Sequence, residues 1–210
     1  MLSSVCRIIK NSRPTTLRKF GLLLSQMVRI SPYHHNITMI TVFVRDCNIS
    51  QRFYDSILST LQLHQLTCPS CGHSACMSVH GYYYRTVRNA SLLRIRIMRI
   101  RCSECGRTHA ILLSSMVPYS QITLSDQVSI ISSYRSHSDR SSVCDLNPSI
   151  DENNVKYVIR SFRKHWEQKL LSLRILLSPV DALVRRCFSD YSAQFMQIRI
   201  QINCLFRCST

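Results

Sequence analysis

Two segments of the chain repeat one pattern of cysteine and glycine: Thr67-Cys68-Pro69-Ser70-Cys71-Gly72 and Arg101-Cys102-Ser103-Glu104-Cys105-Gly106. Each segment presents two thiols from a tight turn, and the glycine that follows permits the left-handed conformation in which such a turn ends. Two turns of this kind together supply the four ligands of a tetrahedral zinc site. Because four thiolates leave no open coordination position, the ion would stabilise the fold and take no part in catalysis. We therefore predict one structural Zn²⁺ ion with four ligands: Cys68, Cys71, Cys102 and Cys105.

The chain has 11 cysteines in 210 residues, a composition that is also found in disulfide-bonded secreted proteins. The alternative interpretations of the four paired cysteines are therefore disulfides or unrelated free thiols. Their CxxC spacing favours metal binding, and with it a reducing environment and a cytoplasmic, nucleoid-associated location. Other metal-binding residue types stand near the two pairs: His73, Cys76, His80 and His109. We interpret them as bystanders, and the alternative is that they substitute as ligands or form a second site.

The sequence between the two cysteine pairs has the alternation of β-strands. Ser78 to Arg85 is one predicted strand, and Leu93 to Arg101 alternates apolar and basic residues until the register slips at Met98. A bulge near Ile97 and Met98 would return the basic residues to one face. We predict a basic, DNA-contacting stripe on this strand, formed by Arg94, Arg96, Arg99 and Arg101.

Three consecutive tyrosines, Tyr82, Tyr83 and Tyr84, stand beside Arg85 and Arg88. Aromatic rings next to basic groups could stack on nucleic-acid bases. The tyrosines of a strand are more often part of a core, and we interpret these three in that way.

Further predicted strands and helices lie on either side of the segment that carries the two cysteine pairs. Ile37 to Arg45 is rich in β-branched residues and is a predicted strand, and Ser50 to Leu63 has apolar residues at helical spacing. A helical pattern returns from Leu124, and Val180 to Phe188 is a further predicted helix. The predicted fold class is α+β: a small β-rich zinc ribbon followed by an all-helical helix-turn-helix module.

The segment Ser138 to Lys164 has the pattern of a helix-turn-helix. A short helix at Arg140 to Asp145 is broken by Leu146-Asn147-Pro148, and a long amphipathic helix begins near Asp151, with Ser149 as its cap. In such motifs the second helix lies in the major groove with its N-terminal half towards the bases. The predicted base readers are Asn153, Asn154, Lys156, Tyr157 and Arg160, and the predicted phosphate contacts are Arg163 and Lys164. The alternative is an amphipathic helix whose basic face is only solvated.

The chain carries 27 Lys and Arg against 11 Asp and Glu, a formal net charge of +16. This excess suits a polyanionic partner, which could be nucleic acid, an anionic membrane surface or an acidic protein. The longest apolar stretches, such as Ile37 to Val44, are far shorter than the roughly 20 residues that cross a bilayer. We expect DNA as the partner, RNA as the alternative, and no membrane association. A homodimer would suit a helix-turn-helix protein, although the sequence shows no heptad pattern of apolar residues.

Composition divides the chain into a basic extension over 1–36, a strand and helix over 37–66, the zinc ribbon over 67–117, the helix-turn-helix over 118–177 and a segment without an assigned role over 178–210. The first region is rich in Ser and Arg, which suggests a disordered basic arm or, alternatively, an organellar transit peptide. Translation from Met27 or Met39 instead of Met1 is a further alternative.

Three runs of residues resemble a group of uncharacterised bacterial proteins: His80-Gly81-Tyr82-Tyr83-Tyr84-Arg85, then Arg99-Ile100-Arg101-Cys102-Ser103-Glu104-Cys105-Gly106-Arg107-Thr108-His109-Ala110, then Val117-Pro118-Tyr119. Those proteins resemble the N-terminal part of insertion-sequence transposases, in which a zinc ribbon precedes a helix-turn-helix. The resemblance covers roughly Ile40 to Leu170. It implies that the four paired cysteines are metal ligands, that the helix from Asp151 reads DNA, and that the target is a transposon end or operator-like DNA.

We expect a non-enzymatic DNA-binding protein, which would be a mobile-element accessory protein, a transposase fragment or a regulator. Strand transfer needs three carboxylates that hold two divalent metals, and no such trio is evident in the sequence. Asp181 and Asp190 are the best candidates for the alternative, a small nuclease or transposase. A further alternative is a zinc-stabilised adaptor that binds RNA or an acidic protein.

Overall fold

The computed structural model describes residues 39–45, 49–88, 91–136 and 147–198. These ranges contain a four-stranded sheet and five α-helices, and most of the helices follow the strands along the chain. The strands are β1 (Met39–Val42), β2 (Met77–Arg88), β3 (Leu92–Cys102) and β4 (Thr108–Leu113). The helices are α1 (Gln51–Thr60), α2 (Leu124–Arg135), α3 (Glu152–His165), α4 (Glu167–Ser172) and α5 (Val180–Tyr191). The protein is therefore of mixed α and β structure.

The sheet has the strand order β1-β4-β3-β2. β3 pairs antiparallel with β2 on one side and with β4 on the other, whereas β1 pairs parallel with β4. The three predicted strands are confirmed, and each begins and ends within three residues of its expected bounds. Because β2 begins opposite the end of β3, with Met77 paired to Cys102, the two hairpins bring both cysteine pairs to the same end of the sheet.

The irregularity predicted for the β2–β3 hairpin is present, but in the other strand. β3 pairs without interruption, whereas β2 has one additional residue, His80, between Val79 and Gly81. The prediction of a bulge near Ile97 and Met98 is therefore wrong. The extra residue is accommodated in β2 because Gly81 there adopts a φ of +154°, which a residue with a side chain rarely does.

The uninterrupted pleat of β3 divides its arginines between the two faces of the sheet. Side chains alternate along a regular strand, so Arg94 and Arg96 lie on one face while Arg99 and Arg101 lie on the other. All four are exposed, because one face of β3 is buried in the first half of the strand and the opposite face in the second half. The buried positions, in order, are Ile95, Ile97, Ile100 and Cys102. The single basic stripe predicted from the sequence is wrong, and the strand instead carries two separate basic pairs.

Helix α1 covers the part of β3 that β4 does not reach. Ser50 caps the helix by accepting a hydrogen bond from the Phe53 backbone N–H at 3.1 Å. The hydroxyl of Tyr54, which is fully buried, accepts from the Met98 N–H at 3.0 Å and donates to the Ile111 carbonyl at 2.9 Å. Tyr54 thus bridges β3 and β4 and satisfies backbone groups that have no strand partner at that point. Burial raises the pKa of this phenol above its usual range.

The helices α2 to α5 share a second core, which begins where β4 ends. Trp166, which ends α3, is buried and makes edge-to-face contacts with Phe195 at 5.3 Å and Tyr191 at 5.9 Å between ring centroids. The predicted helix at Val180 to Phe188 is confirmed as α5, and it buries Leu183, Val184 and Cys187. The segment from 178 to 198, which had no assigned role, therefore forms part of this core.

The start of α3 differs in detail from the prediction. Asp151, not Ser149, is the N-cap, because its carboxylate accepts from the Asn154 backbone N–H at 2.8 Å. The Ser149 hydroxyl instead donates to the Asn147 side chain at 2.7 Å, and Asn147 in turn donates to Asp126 in α2 at 3.0 Å. The hydrogen bond from Asn154 lowers the pKa of Asp151. The predicted short helix at 140–145 lies outside the described residues.

None of the helices within the described ranges combines the length and the apolar character that a bilayer span requires.

Candidate metal centre

The two cysteine turns have the same backbone hydrogen bonds. In the first, the Cys68 N–H donates to the His73 carbonyl at 2.7 Å, and the Gly72 N–H donates to the Cys68 carbonyl at 2.9 Å. In the second, the Cys102 N–H donates to the Arg107 carbonyl at 2.9 Å, and the Gly106 N–H donates to the Cys102 carbonyl at 3.0 Å. Both glycines have positive φ, +79° and +68°. The sequence repeat is thus a structural repeat, and each turn aims two sulfurs inward.

The four sulfurs lie in one cluster. The Sγ atoms of Cys68 and Cys105 are 3.7 Å apart, as are those of Cys71 and Cys102, and all four lie within 4.8 Å of one another. A tetrahedral site with Zn–S bonds of roughly 2.3 Å requires sulfurs about 3.8 Å apart. The spacing of the thiols therefore fits a four-coordinate metal ion, and the predicted set of four cysteines is brought together by the fold.

Burial sets the electrostatics of this cluster. Cys68 is 1% exposed and Cys102 is fully buried, whereas Cys71 and Cys105 are partly exposed. Burial raises the pKa of the Cys68 thiol to about 12. Burial also acts to raise the pKa of Cys102, but hydrogen bonds from the Cys105 backbone and from neighbouring thiols outweigh it and lower that pKa to about 6. Since the thiolate is the form that coordinates, a cation must offset the cost of ionising Cys68.

Two residues interpreted from the sequence as bystanders contact the cluster. The Sγ atom of Cys76 lies 3.3 Å from that of Cys102, and the Nε2 atom of His109 lies 3.5 Å from the Sγ of Cys68. Both side chains are buried, and His109 is completely so. His109 pairs with the buried Ile100 across β3 and β4, a pairing that the sequence alone does not give. The other two, His73 and His80, are exposed.

The predicted DNA-contacting residues of the helical half all lie on α3, away from the cysteine turns in sequence. Six of them are exposed: Asn153, Lys156, Tyr157, Arg160, Arg163 and Lys164. Asn154 is partly buried, and its backbone N–H binds the Asp151 cap. Lys156 forms an exposed ion pair with Glu152 at 3.1 Å, within the same helix. The fold thus collects this predicted set on one helical surface.

The predicted arginines of β3 have two kinds of partner. Arg94 and Arg96 lie over tyrosine rings of β2, whereas Arg99 donates to the Thr108 hydroxyl at 3.0 Å and Arg101 donates to the Gly106 carbonyl at 3.2 Å. Arg101 therefore braces the second cysteine turn.

Arg85 and Arg88 of β2 hold the hairpin against the helical half. Arg85 donates to the backbone carbonyls of Val117 and Ser120, and Arg88 donates to the Ser149 carbonyl at 2.6 Å. Burial lowers the pKa of the Arg85 guanidinium. These two arginines therefore join parts of the fold, and they are not available to flank a stacked base.

Residues 68–147 match a family described as "Domain of unknown function (DUF6431)". That range contains both cysteine turns, strands β2 to β4 and helix α2. No curated protein matches the chain, and no solved structure does. The part of the chain that resembles other proteins is thus the part that carries the cysteine cluster, which could hold a metal ion.

Proposed function

We propose that the protein is a non-enzymatic DNA-binding protein in which one structural zinc ion holds a zinc ribbon together and α3 contacts DNA. The observation that carries the proposal is the cluster of four cysteine sulfurs, at zinc-ligand spacing, in a chain with a formal charge of +16. Nucleic acid is the most common polyanion that such a chain meets in a cell.

The donor set supports zinc as the metal. Four thiolates in a tetrahedral arrangement suit zinc or iron, and zinc is the usual ion where two CxxC turns form a structural site. Cys68, Cys71, Cys102 and Cys105 would hold the ion and would fill all its positions. Zinc bound in this way joins the start of β2 to the β3–β4 turn, so it supplies folding energy and no reaction centre.

The distribution of side chains on α3 supports its role as the DNA-contacting helix. One face of the helix is buried in the helical core through Val155, Val158, Ile159 and Phe162. The opposite face has four basic groups and one acidic group, Glu152. In a helix-turn-helix arrangement the N-terminal residues of this face would meet base edges, and Arg163 and Lys164 would meet phosphates.

The structural roles of several acidic residues support a non-enzymatic function. Asp151 caps α3, Asp126 binds Asn147, and Asp190 forms an ion pair with Arg186 at 2.5 Å. A carboxylate that is occupied in this way is less available to hold a catalytic metal. The resemblance to the N-terminal part of insertion-sequence transposases supports a mobile-element context, in which the protein would bind transposon ends or operator-like DNA.

The proposal is tested by measuring metal content and DNA binding on the full chain. We expect one zinc per chain by elemental analysis. We also expect binding of fluorescent duplex DNA that weakens as salt increases, because each phosphate contact releases counterions.

The double variant Arg160→Ala, Arg163→Ala should weaken duplex binding and flatten its salt dependence. Arg186→Ala is the matched control, since this arginine is also exposed but lies on α5. If the two variants bind duplex DNA equally well, α3 is not part of the DNA interface. A zinc-loaded chain that binds no duplex would overturn the proposed function.

A further inference from the structure

A row of alternating aromatic and basic side chains lies on the exposed face of the β2–β3 hairpin. It consists of Tyr82 and Tyr84 of β2 with Arg94 and Arg96 of β3, and we refer to these four residues as the Tyr–Arg ladder. The guanidinium of Arg94 lies 4.7 Å from the centroid of the Tyr84 ring, and that of Arg96 lies 4.6 Å from the Tyr82 ring. The cross-strand register, which pairs Tyr84 with Arg96, places the four side chains on one face.

The ladder is not part of either core, which corrects the interpretation of these tyrosines from the sequence. Tyr82 is 47% exposed and Tyr84 is 61% exposed, even with the guanidinium groups over their rings. Tyr83, which points to the other face, is partly buried and packs against the core of the sheet. Two aromatic rings exposed side by side on one strand form a contiguous patch, and such patches often mark a surface that contacts a partner.

The charge of the ladder is not neutralised within the described part of the chain. Neither β2 nor β3 contains an acidic residue. Among the described residues, the guanidinium groups of Arg94 and Arg96 have ring contacts but no ion pair. The other arginines of the hairpin, in contrast, donate to backbone carbonyls or a hydroxyl. Two aromatic rings flanked by two unpaired cations thus form a surface suited to bases and phosphates.

We propose that the Tyr–Arg ladder binds an unpaired segment of single-stranded DNA, with bases stacked on Tyr82 and Tyr84 and phosphates bound by Arg94 and Arg96. Base–aromatic stacking is tolerant of sequence because every base has a flat face. The choice of DNA over RNA rests on the proposed function. The site itself is additional to α3, which is proposed to contact duplex DNA.

The spacing of the rings favours an unpaired strand over a duplex. Tyr82 and Tyr84 are two residues apart on one strand, so their attachment points are separated by about 6.8 Å. Neighbouring bases of a duplex are stacked at about 3.4 Å, and their faces are covered by one another. Only bases that have been unstacked and spread apart can each meet one ring, and this geometry is available in a single strand.

The test compares the binding of two fluorescent DNAs by the full zinc-loaded chain, using anisotropy. The first is an oligothymidylate of about 12 nucleotides, and the second is a duplex of the same length. The double variant Tyr82→Leu, Tyr84→Leu should weaken oligothymidylate binding by about 25-fold or more, because each lost stacking contact typically costs about fivefold or more and the two factors multiply. Duplex binding should be unchanged.

The matched control is Tyr119→Leu, which makes the same change at a tyrosine that is 53% exposed and lies outside both strands. It should bind the oligothymidylate as the unmodified chain does. If the double leucine variant loses zinc or its folded circular dichroism spectrum, the pair Arg94→Gln, Arg96→Gln replaces it. That pair should lower the affinity and reduce the salt slope of oligothymidylate binding by about 1.4, the value for two phosphates of a single strand.

Each result bears on one of the two proposals. Unchanged oligothymidylate binding by the folded ladder variant would overturn the ladder as the site. A parallel loss of oligothymidylate and duplex binding would also overturn it, since one shared surface would then serve both. Tighter binding of oligouridylate than of oligothymidylate would overturn the assignment to DNA. If the unmodified chain binds duplex DNA but does not bind oligothymidylate, the ladder is refuted as a binding site and the proposed function of α3 still stands.

Discussion

Replacement of His109 by phenylalanine removes the imidazole that faces the sulfur of Cys68 and retains most of the buried ring volume. The Nε2 atom lies 3.5 Å from the Cys68 Sγ, and His109 is completely buried. A metal-bound thiolate carries no proton, so in the loaded site the imidazole N–H would donate to it. This hydrogen bond would compensate part of the negative charge that four thiolates place around one ion.

The expected loss follows from the strength of such a bond. A hydrogen bond to a charged partner contributes about 1.5 to 3 kcal/mol, and loss of an outer-shell partner typically lowers metal affinity by about 10- to 100-fold. The low accessibility of Cys68 places the effect in this range, because water cannot replace the lost donor at a site that is 1% exposed. We therefore expect His109→Phe to weaken zinc binding by about 10- to 100-fold.

The affinity is measured by competition with a chromophoric zinc chelator. Cobalt substitution provides a second readout, since the thiolate-to-cobalt absorption reports whether four sulfurs still coordinate. His80→Phe is the matched control, because His80 is exposed and occupies the bulge of β2. An unchanged zinc affinity in His109→Phe would refute the outer-shell role. A cobalt spectrum that shows a lost ligand would also refute the outer-shell role, because His109 would then be a metal ligand itself.

Three further predictions concern the fold and its stability. Cys102→Ser should abolish tight zinc binding and the ribbon fold, because only three thiolates remain; elemental analysis and circular dichroism check this. Tyr54→Phe should lower the free energy of unfolding in urea by about 2 to 4 kcal/mol, because a buried N–H and a buried carbonyl each lose their partner. Tyr157→Phe, at an exposed position, should change it by less than about 0.5 kcal/mol. The depressed pKa of Asp151 stabilises the native state, fully so above about pH 4, the ordinary pKa of the group, and this contribution should be lost below that pH, as the pH falls through the lower pKa of the folded state.

Each of these has a clear contrary result. A Cys102→Ser protein that retains one tightly bound zinc would exclude the four-cysteine site. Equal stability of the two phenylalanine variants would mean that the Tyr54 hydroxyl contributes nothing net. An Asp151→Asn protein whose acid unfolding follows that of the unmodified chain would show that the Asp151 carboxylate has no part in the pH dependence.

The sequence predicts the cysteine cluster well because its information is local. Each CxxC turn is encoded by neighbouring residues, and the strand between Leu93 and Arg101 is encoded by its own alternation. The position of the bulge is not local information. The slip in the pattern of β3 reflects a change in which face of that strand is buried, and the bulged residue, His80, belongs to the partner strand. Pairing between strands must be known before a bulge can be assigned to one of them.

Residues whose roles depend on distant contacts could not be predicted in this way. Tyr54 lies at helical spacing from Ile57 and Leu58 and is the buried residue of α1, but the hydrogen bonds of its hydroxyl group to β3 and β4 depend on how the sheet is assembled. His109 and Cys76 reach the cluster only because three strands converge there. The segment after residue 178 has an ordinary amphipathic pattern, and only the packing of α5 and Phe195 shows that it completes the helical core.

The parallel pairing of β1 with β4 has a consequence for the order of folding. Met39 pairs with Ala110 and Val42 with Leu113, so this contact closes a far longer loop than any hairpin of the sheet. Loop closure of that length costs entropy before it yields any contact. The hairpins and their cysteine turns, which are local in sequence, should therefore form first and present β4 as a template. We expect β1 to dock last, and metal-free chains, in which the β3–β4 turn is unanchored, to accumulate with β1 still undocked.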